Sequence, residues 1–298
     1  MWSSSACFAV LSELCVRYRV FCRDSFNAKL AKDRKARGGY RATQIDRSST
    51  ARHPVRVTKQ EIREAVWSLL QSERVARFPG ARGRIPNFTG AEQCAVHVAE
   101  LEVWKAARFI KSNPDSPQRA IRHLALKQGK TIYMAVPRLR EEKCFIELDP
   151  ARLGKSIYKA SSIKGAFESG RQVAVTQMKP VDLILCGSVA VRRNGARLGK
   201  GGGYSDLEYG IALETGLITA STPVITTVHP LQVVTEKFSL MPHDIPVDFI
   251  VTPEKIIDCK TRLAKPEGIY WEYLDEEKIA AIPLLQKMKA RLEDRRSL

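Results

Sequence analysis

The sequence predicts an α/β domain in which a parallel or mixed sheet is covered by helices on both faces. Three observations lead there. Short apolar runs recur at 131–136, 181–186 (VDLILC), 224–228 and 247–251. Strands buried on both faces read as continuous runs of this kind, whereas a half-solvated strand alternates. Segments of helical periodicity separate the runs, the order a sheet with crossover helices requires. Start and stop signals for helices stand at the borders of those segments.

Order begins near Thr58, where Thr58-Lys59-Gln60-Glu61 has the form of a capping box. Ile62, Val66, Leu69 and Leu70 follow at i, i+4, i+7 and i+8, the stripe of an amphipathic helix. A loop rich in Pro and Gly covers 78–90. Helical patterns resume at 92–111 and 117–128, the second after Asn113-Pro114 and Pro117. The first two strand runs come next. A helix over 205–215 then ends at Gly216, because glycine takes the left-handed C′ conformation without a Cβ penalty. Two more strands and a last helix over 275–293 complete a domain running from 57 to 298.

Residues 1–56 read differently. They hold 12 Lys+Arg against 4 Asp+Glu, which is +8 of the total +17, and show no sustained periodicity. Two readings stand: a disordered basic leader of the organelle-targeting type, or a start codon placed upstream of the true one. The charge on the rest of the chain attracts phosphates, polyanionic cofactors or nucleic acid without choosing among them, and is equally that of a solvated basic surface. The apolar stretch at 6–20 is broken by Ser12, Glu13, Arg17 and Arg19. It falls short of the roughly 18 residues a spanning helix needs, and lacks the basic start of a secretory signal, so no membrane partner is expected. Cysteines 7, 15, 22, 94, 144, 186 and 259 form no CxxC pair and no metal-type spacing. A reducing compartment without structural zinc is therefore expected. The expected location is the cytoplasm, or an organelle matrix if the leader is a transit peptide.

The most informative segment is Arg197-Leu198-Gly199-Lys200-Gly201-Gly202-Gly203-Tyr204-Ser205-Asp206, between the VDLILC strand and the following helix. Glycines let backbone N–H groups crowd round a phosphate, and the helix N-terminus adds donors and partial positive charge. Lys200 and Arg197 add full charges. A Walker A loop is excluded, because Asn194 and Gly201 stand where it needs Gly and Ser/Thr. The dinucleotide fingerprint is excluded too, since Tyr204 or Asp206 occupies its last glycine position. What remains is an anion-binding loop or a tight structural turn. Asp206 fits a helix cap, or a Mg²⁺ ligand beside bound phosphates.

With those residues in view, the RLG-x-GGGY-x-D segment resembles the signature of the 5-formyltetrahydrofolate cyclo-ligases, with similarity extending over about 59–252. Together with Thr227-Val228-His229-Pro230-Leu231-Gln232, it is most similar to the branch of methenyltetrahydrofolate synthase domain-containing proteins. The resemblance implies a three-layer α/β domain with a mainly parallel sheet, and ATP and Mg²⁺ as cofactors. It implies nucleotide contacts at Lys59, Arg63, Arg197, Gly199, Lys200, Gly201, Gly202, Gly203 and Tyr204, with Lys200 and Arg197 catalytic. It implies magnesium at Asp206 and Asp244, and a folate pocket at Tyr133, Met134 and Pro137. Two departures weaken the folate half: Ser205 and Leu207 replace a loop tyrosine and an arginine, and a folate-contacting Glu has only Asp115 or Gln118 near its place.

The implied reaction is cyclisation of 5-formyltetrahydrofolate to 5,10-methenyltetrahydrofolate. It needs positioning and charge neutralisation but no side-chain nucleophile, in keeping with the lack of a Ser/His/Asp or Cys/His set. His229 and His243 are expected to be structural. Two alternatives stay open: a non-catalytic homologue that binds nucleotide or folate, and an RNA-associated protein. Against the latter, the chain has no RNA-recognition signature and stops at Leu298 after one helix, so a small-molecule partner, not nucleic acid, is expected.

Overall fold

The computed structural model describes residues 57–296, so the predicted leader lies outside the described residues. Helix α1 (Lys59–Ser72) opens with the expected capping box. The Thr58 hydroxyl accepts the Glu61 N–H at 3.2 Å, and the Glu61 carboxylate accepts the Thr58 N–H at 2.9 Å. The stripe Ile62, Val66, Leu69 and Leu70 is buried against Ile85, Val189, Ala190, Leu198, Leu231 and Phe238. This packing lays α1 beside the two-stranded ribbon Ala190–Val191/Arg197–Leu198, from which the glycine loop departs.

The main sheet has eight strands: β1 (Phe109–Ser112), β2 (Thr131–Ala135), β3 (Phe145–Leu148), β4 (Arg171–Val173), β5 (Leu183–Cys186), β6 (Val224–Thr227), β7 (Phe249–Val251) and β8 (Ile256–Asp258). Their order across the sheet is β8-β7-β6-β5-β1-β2-β3-β4. The middle five are mutually parallel, and the edge pairs β7–β8, β2–β3 and β3–β4 are antiparallel. Helices α2 (Gln93–Glu100), α3 (Arg119–Lys127) and α4 (Ile163–Ser169) pack on one face, while α5 (Tyr204–Glu214) and α6 (Pro283–Arg296) pack on the other. The pleat divides each strand between them: Leu183 and Leu185 face the first set, Ile184 and Cys186 the second. The three-layer, mainly parallel architecture is the one expected.

Several boundaries differ from the sequence reading. The helical pattern at 92–111 is two short helices that stop before Phe109, and the chain then enters β1, the centre of the sheet. β1 was hidden because its third residue is Lys111, a charge that a continuous apolar run does not contain. It is buried there by an ion pair with Glu208 of α5. β3, β4 and β8, and the helical turns between 150 and 169, were not foreseen. The last helical segment is interrupted ahead of Pro283, which has no N–H to continue a helix but is tolerated in a first turn. Gly216 does take φ +71° at the end of α5.

α5 lies close to a later segment at Gly210, where an added Cβ would sit 2.7 Å from the Gly268 carbonyl oxygen. Gly210→Ala should therefore cost about 1–3 kcal/mol through backbone displacement, the usual range for overpacking. A lower urea midpoint with unchanged slope is the expected reading, and an unchanged midpoint would contradict it.

Candidate functional site

The chain leaves β1 toward α3 on one face and leaves the neighbouring β5 toward α5 on the other. In open α/β sheets the crevice beyond the carboxyl ends of two such strands is where ligands bind. The glycine loop stands at this crevice. α5 starts from Gly203 at φ 67° with no side-chain cap, so its first-turn N–H groups are placed for an outside acceptor. Gly201, at φ +105°, makes the other left-handed turn.

Three distant segments meet here. Arg63 of α1 donates through Nε to the Gly199 carbonyl at 2.8 Å. Lys59, one turn earlier, is paired with Asp244, whose carboxylate also accepts the Met241 N–H at 2.6 Å. Arg197 donates to Asp206 at 2.5 Å, to the Gly187 carbonyl at 3.0 Å and to the Ile245 carbonyl at 3.3 Å. Asp206 in turn accepts the Ile245 N–H at 3.1 Å. The sequence-predicted residues Lys59, Arg63, Arg197, Asp206 and Asp244 thus form one network around the loop.

Arg197 is buried within that network. Only 3% of it is exposed, and its hydrogen bonds go to Asp206, to the Gly187 carbonyl and to the Ile245 carbonyl in the segment ahead of β7, a positioning arrangement. Burial opposes its charge, but Asp206, Cys186 and Asp244 outweigh that and raise its pKa. Lys200, by contrast, is exposed and is the largest charge influence on Asp115.

Asp115 sits just beyond β1, with one carboxylate oxygen 2.8 Å from where a Cβ on Gly187 would lie. It keeps some surface open to solvent, yet burial pushes its pKa up, against the pull of Lys200, Arg122, Lys111 and Arg197. Arg122 holds this turn in place. Its buried guanidinium donates to the carbonyls of Asn113 (2.7 Å), Asp115 (3.1 Å), Pro114 (3.2 Å) and Ser161 (2.9 Å). Burial lowers the Arg122 pKa to about 10. Ser205 Oγ closes the crevice floor by donating to Asn113 Oδ1 at 3.3 Å. Sequence reasoning touched Asp115 and Gln118 only in passing and missed Lys111, Arg122 and Glu208. A charged residue inside or directly before an apolar run was the available signal.

The predicted folate pocket does not assemble. Tyr133 and Met134 are both fully buried and, as neighbours on β2, face opposite sides of the sheet in separate core clusters. The Tyr133 hydroxyl is engaged by the Lys179 N–H at 3.0 Å. Pro137 is exposed at the turn after β2. Strand alternation separates side chains that adjacency in sequence had grouped.

Among the described residues no cluster of three or more His, Cys, Asp or Glu forms a metal cage. Asp206, in the first turn of α5, and Asp244, in the turn ahead of β7, are the two carboxylates of the network, and each is paired there with a cation, Arg197 and Lys59 respectively. Among the described residues no helix is long and apolar enough to cross a membrane.

His229 is structural, as expected: its Nδ1 accepts the Leu231 N–H at 3.3 Å, and burial lowers its pKa to about 4. The unfolded chain, with a histidine pKa of about 6.5, binds the proton more readily. This group's contribution is thus complete above pH 6.5, shrinks as pH falls toward 4, and is gone below that. His229→Asn keeps an acceptor for Leu231, so it should flatten that part of the stability curve. Urea midpoints of both proteins at pH 7 and 4.5 check this; equal losses would contradict it.

Comparison with known proteins bears directly on this arrangement. The model of the 5-formyltetrahydrofolate cyclo-ligase family matches residues 55–253, two thirds of the chain and all of the network. The chain belongs to that family. Within it, the chain is similar to the methenyltetrahydrofolate synthase domain-containing proteins of Mus musculus (40% identity over 238 residues, 79% of this chain and 64% of that protein) and Homo sapiens (37% over 240 residues, 80% and 63%). It therefore spans somewhat under two thirds of the length of those curated relatives. Among solved structures, the 5,10-methenyltetrahydrofolate synthetase of Aquifex aeolicus aligns with TM-score 0.42 and 21% identity, covering 72% of this chain and 99% of that one. That of Mycoplasma pneumoniae aligns with TM-score 0.40 and 14% identity, covering 65% and 98%.

Proposed function

We propose that this cyclo-ligase family member catalyses ATP- and Mg²⁺-dependent cyclisation of 5-formyltetrahydrofolate to 5,10-methenyltetrahydrofolate. The observation that carries the reading is the joining of α1, the uncapped start of α5 and the 241–245 turn through Lys59, Arg63, Arg197, Asp206 and Asp244. In the proposed reaction the formyl oxygen attacks the γ-phosphorus and ADP departs. N10 then attacks the activated formyl carbon, phosphate leaves with the C–O electrons, and N10 loses its proton. Nothing here needs a protein nucleophile; it needs phosphates held in line and neutralised. Lys200, Lys59 and Arg63 supply cations, the α5 amides cradle a phosphate, and Arg197 holds Asp206 in place. Asp206 and Asp244 would hold Mg²⁺, which when bound neutralises phosphate charge.

Growth of methenyltetrahydrofolate absorbance from 5-formyltetrahydrofolate and Mg-ATP tests the proposal. No turnover by pure protein that binds ATP would overturn it in favour of the second reading, a nucleotide-binding homologue without turnover. That alternative is favoured by Leu207, which is 7% exposed in the core, and by Ser205, engaged with Asn113. Calorimetry separates the two: the binding-only protein takes up ATP with an affinity that formyltetrahydrofolate leaves unchanged.

A further inference from the structure

Residues 268–278 lie beyond the 55–253 span of the family match, yet they wall a cleft over the first turn of α5. Gly203, Asp206, His243, Tyr270, Tyr273 and Lys278 line it. Lys278 is tied to the glycine loop by three relations: Nζ donates to the Gly202 carbonyl at 3.0 Å, stands 4.8 Å from the Tyr204 ring centroid, and lies 3.3 Å from where a Cβ on Gly203 would be.

The ammonium is held there by its own segment. Asp275 caps the short helix Glu276–Ala280 by accepting the Lys278 N–H at 2.6 Å, and the next residue, Ile279, is buried in the core. The cleft also contains an unspent polar atom. His243, 5.2 Å from the Tyr273 ring and 6.5 Å from that of Tyr270, has a buried Nδ1 that meets no partner. Asp206 does not cancel the lysine, because Arg197 already neutralises it.

An ammonium has three donors, and a phosphate oxygen is a stronger partner than a neutral carbonyl. We propose that Lys278 is a phosphate-binding residue: the C-terminal segment supplies a further lysine, beside Lys200 and Lys59, that ligates the polyphosphate of a nucleotide at the glycine loop. The inference rests on the nucleotide reading above, with the phosphate chain as the recognised chemistry.

Calorimetry on the full chain tests it, with Mg-ATP and inorganic tripolyphosphate as probes. Lys278→Gln keeps a donor for the Gly202 carbonyl but carries no charge, whereas Lys278→Arg keeps the charge. Equal urea midpoints establish that both variants are folded. Removing a charge-assisted bond at a half-buried site should weaken tripolyphosphate binding about tenfold in Lys278→Gln and flatten its salt dependence, while Lys278→Arg stays within about threefold of wild type. Binding by Lys278→Gln equal to wild type would overturn the inference, reducing Lys278 to a latch on the loop and leaving the nucleotide reading intact. Equal weakening in both variants would overturn it in the same way. If the wild type binds neither probe, the nucleotide reading falls and this inference falls with it.

Discussion

Lys200→Ala is expected to lower kcat/KM for methenyltetrahydrofolate formation by about 10²–10³, the range for removing one donor that stabilises transition-state charge. The reason is where the side chain stands. It is exposed, so its loss should leave stability within about 0.5 kcal/mol of wild type. Its charge is the one that most affects Asp115 at the crevice. Two measurements check this independently. Absorbance assays at saturating and limiting Mg-ATP read the loss, and a loss confined to KM would mean that the lysine only binds nucleotide. Carboxyl NMR reads Asp115: with its main cation gone, a pKa already raised by burial should rise further. Full activity in Lys200→Ala would remove the glycine loop from the mechanism.

Arg197→Met should cost about 3–5 kcal/mol, the range for removing one partner of a buried ion pair. The change strands the Asp206 carboxylate and unpairs the carbonyls of Gly187 and Ile245, all of which the guanidinium now satisfies. Domains are stable by only about 5–15 kcal/mol, so the variant should be largely unfolded in mild denaturant. Methionine fills much of the arginine volume, which separates lost charge from lost packing. Adding Asp206→Asn removes the stranded charge, and the double variant should regain part of the loss in urea titrations. A single variant as stable as wild type would show that the pair contributes no stability. Lys200 and Arg197, both read from the sequence as catalytic cations, should therefore fail in opposite ways: one loses chemistry while folded, the other loses the fold.

That contrast marks how far the residues could be read in advance. The glycine loop was legible because its chemistry is local. Four glycines and a lysine before a helix start offer backbone N–H groups and positive charge to an anion whatever the rest of the chain does. The capping box at Thr58 and the C′ glycine at 216 were legible for the same reason, each being satisfied within one turn of backbone. β1 was not, because its burial depends on Glu208, which lies on a different element and meets Lys111 only when α5 packs on the sheet. The grouping of Tyr133 with Met134 failed because strand geometry sends neighbours to opposite faces.

By itself the sequence determined the class of fold, the position of the glycine loop before a helix, and the identity of the cations and carboxylates near it, since periodicity and local backbone chemistry need no distant partner. Only the tertiary structure decided their roles. It spent Arg197 on Asp206, left Lys200 free at the surface, and paired Lys59 with Asp244. It also brought Asp115 and Arg122 to the crevice beyond β1, and Lys278 to the glycine loop, from outside the motif. A charge acts according to which partners fold against it, and those partners lie anywhere from nine residues away, as Asp206 from Arg197, to 185, as Asp244 from Lys59.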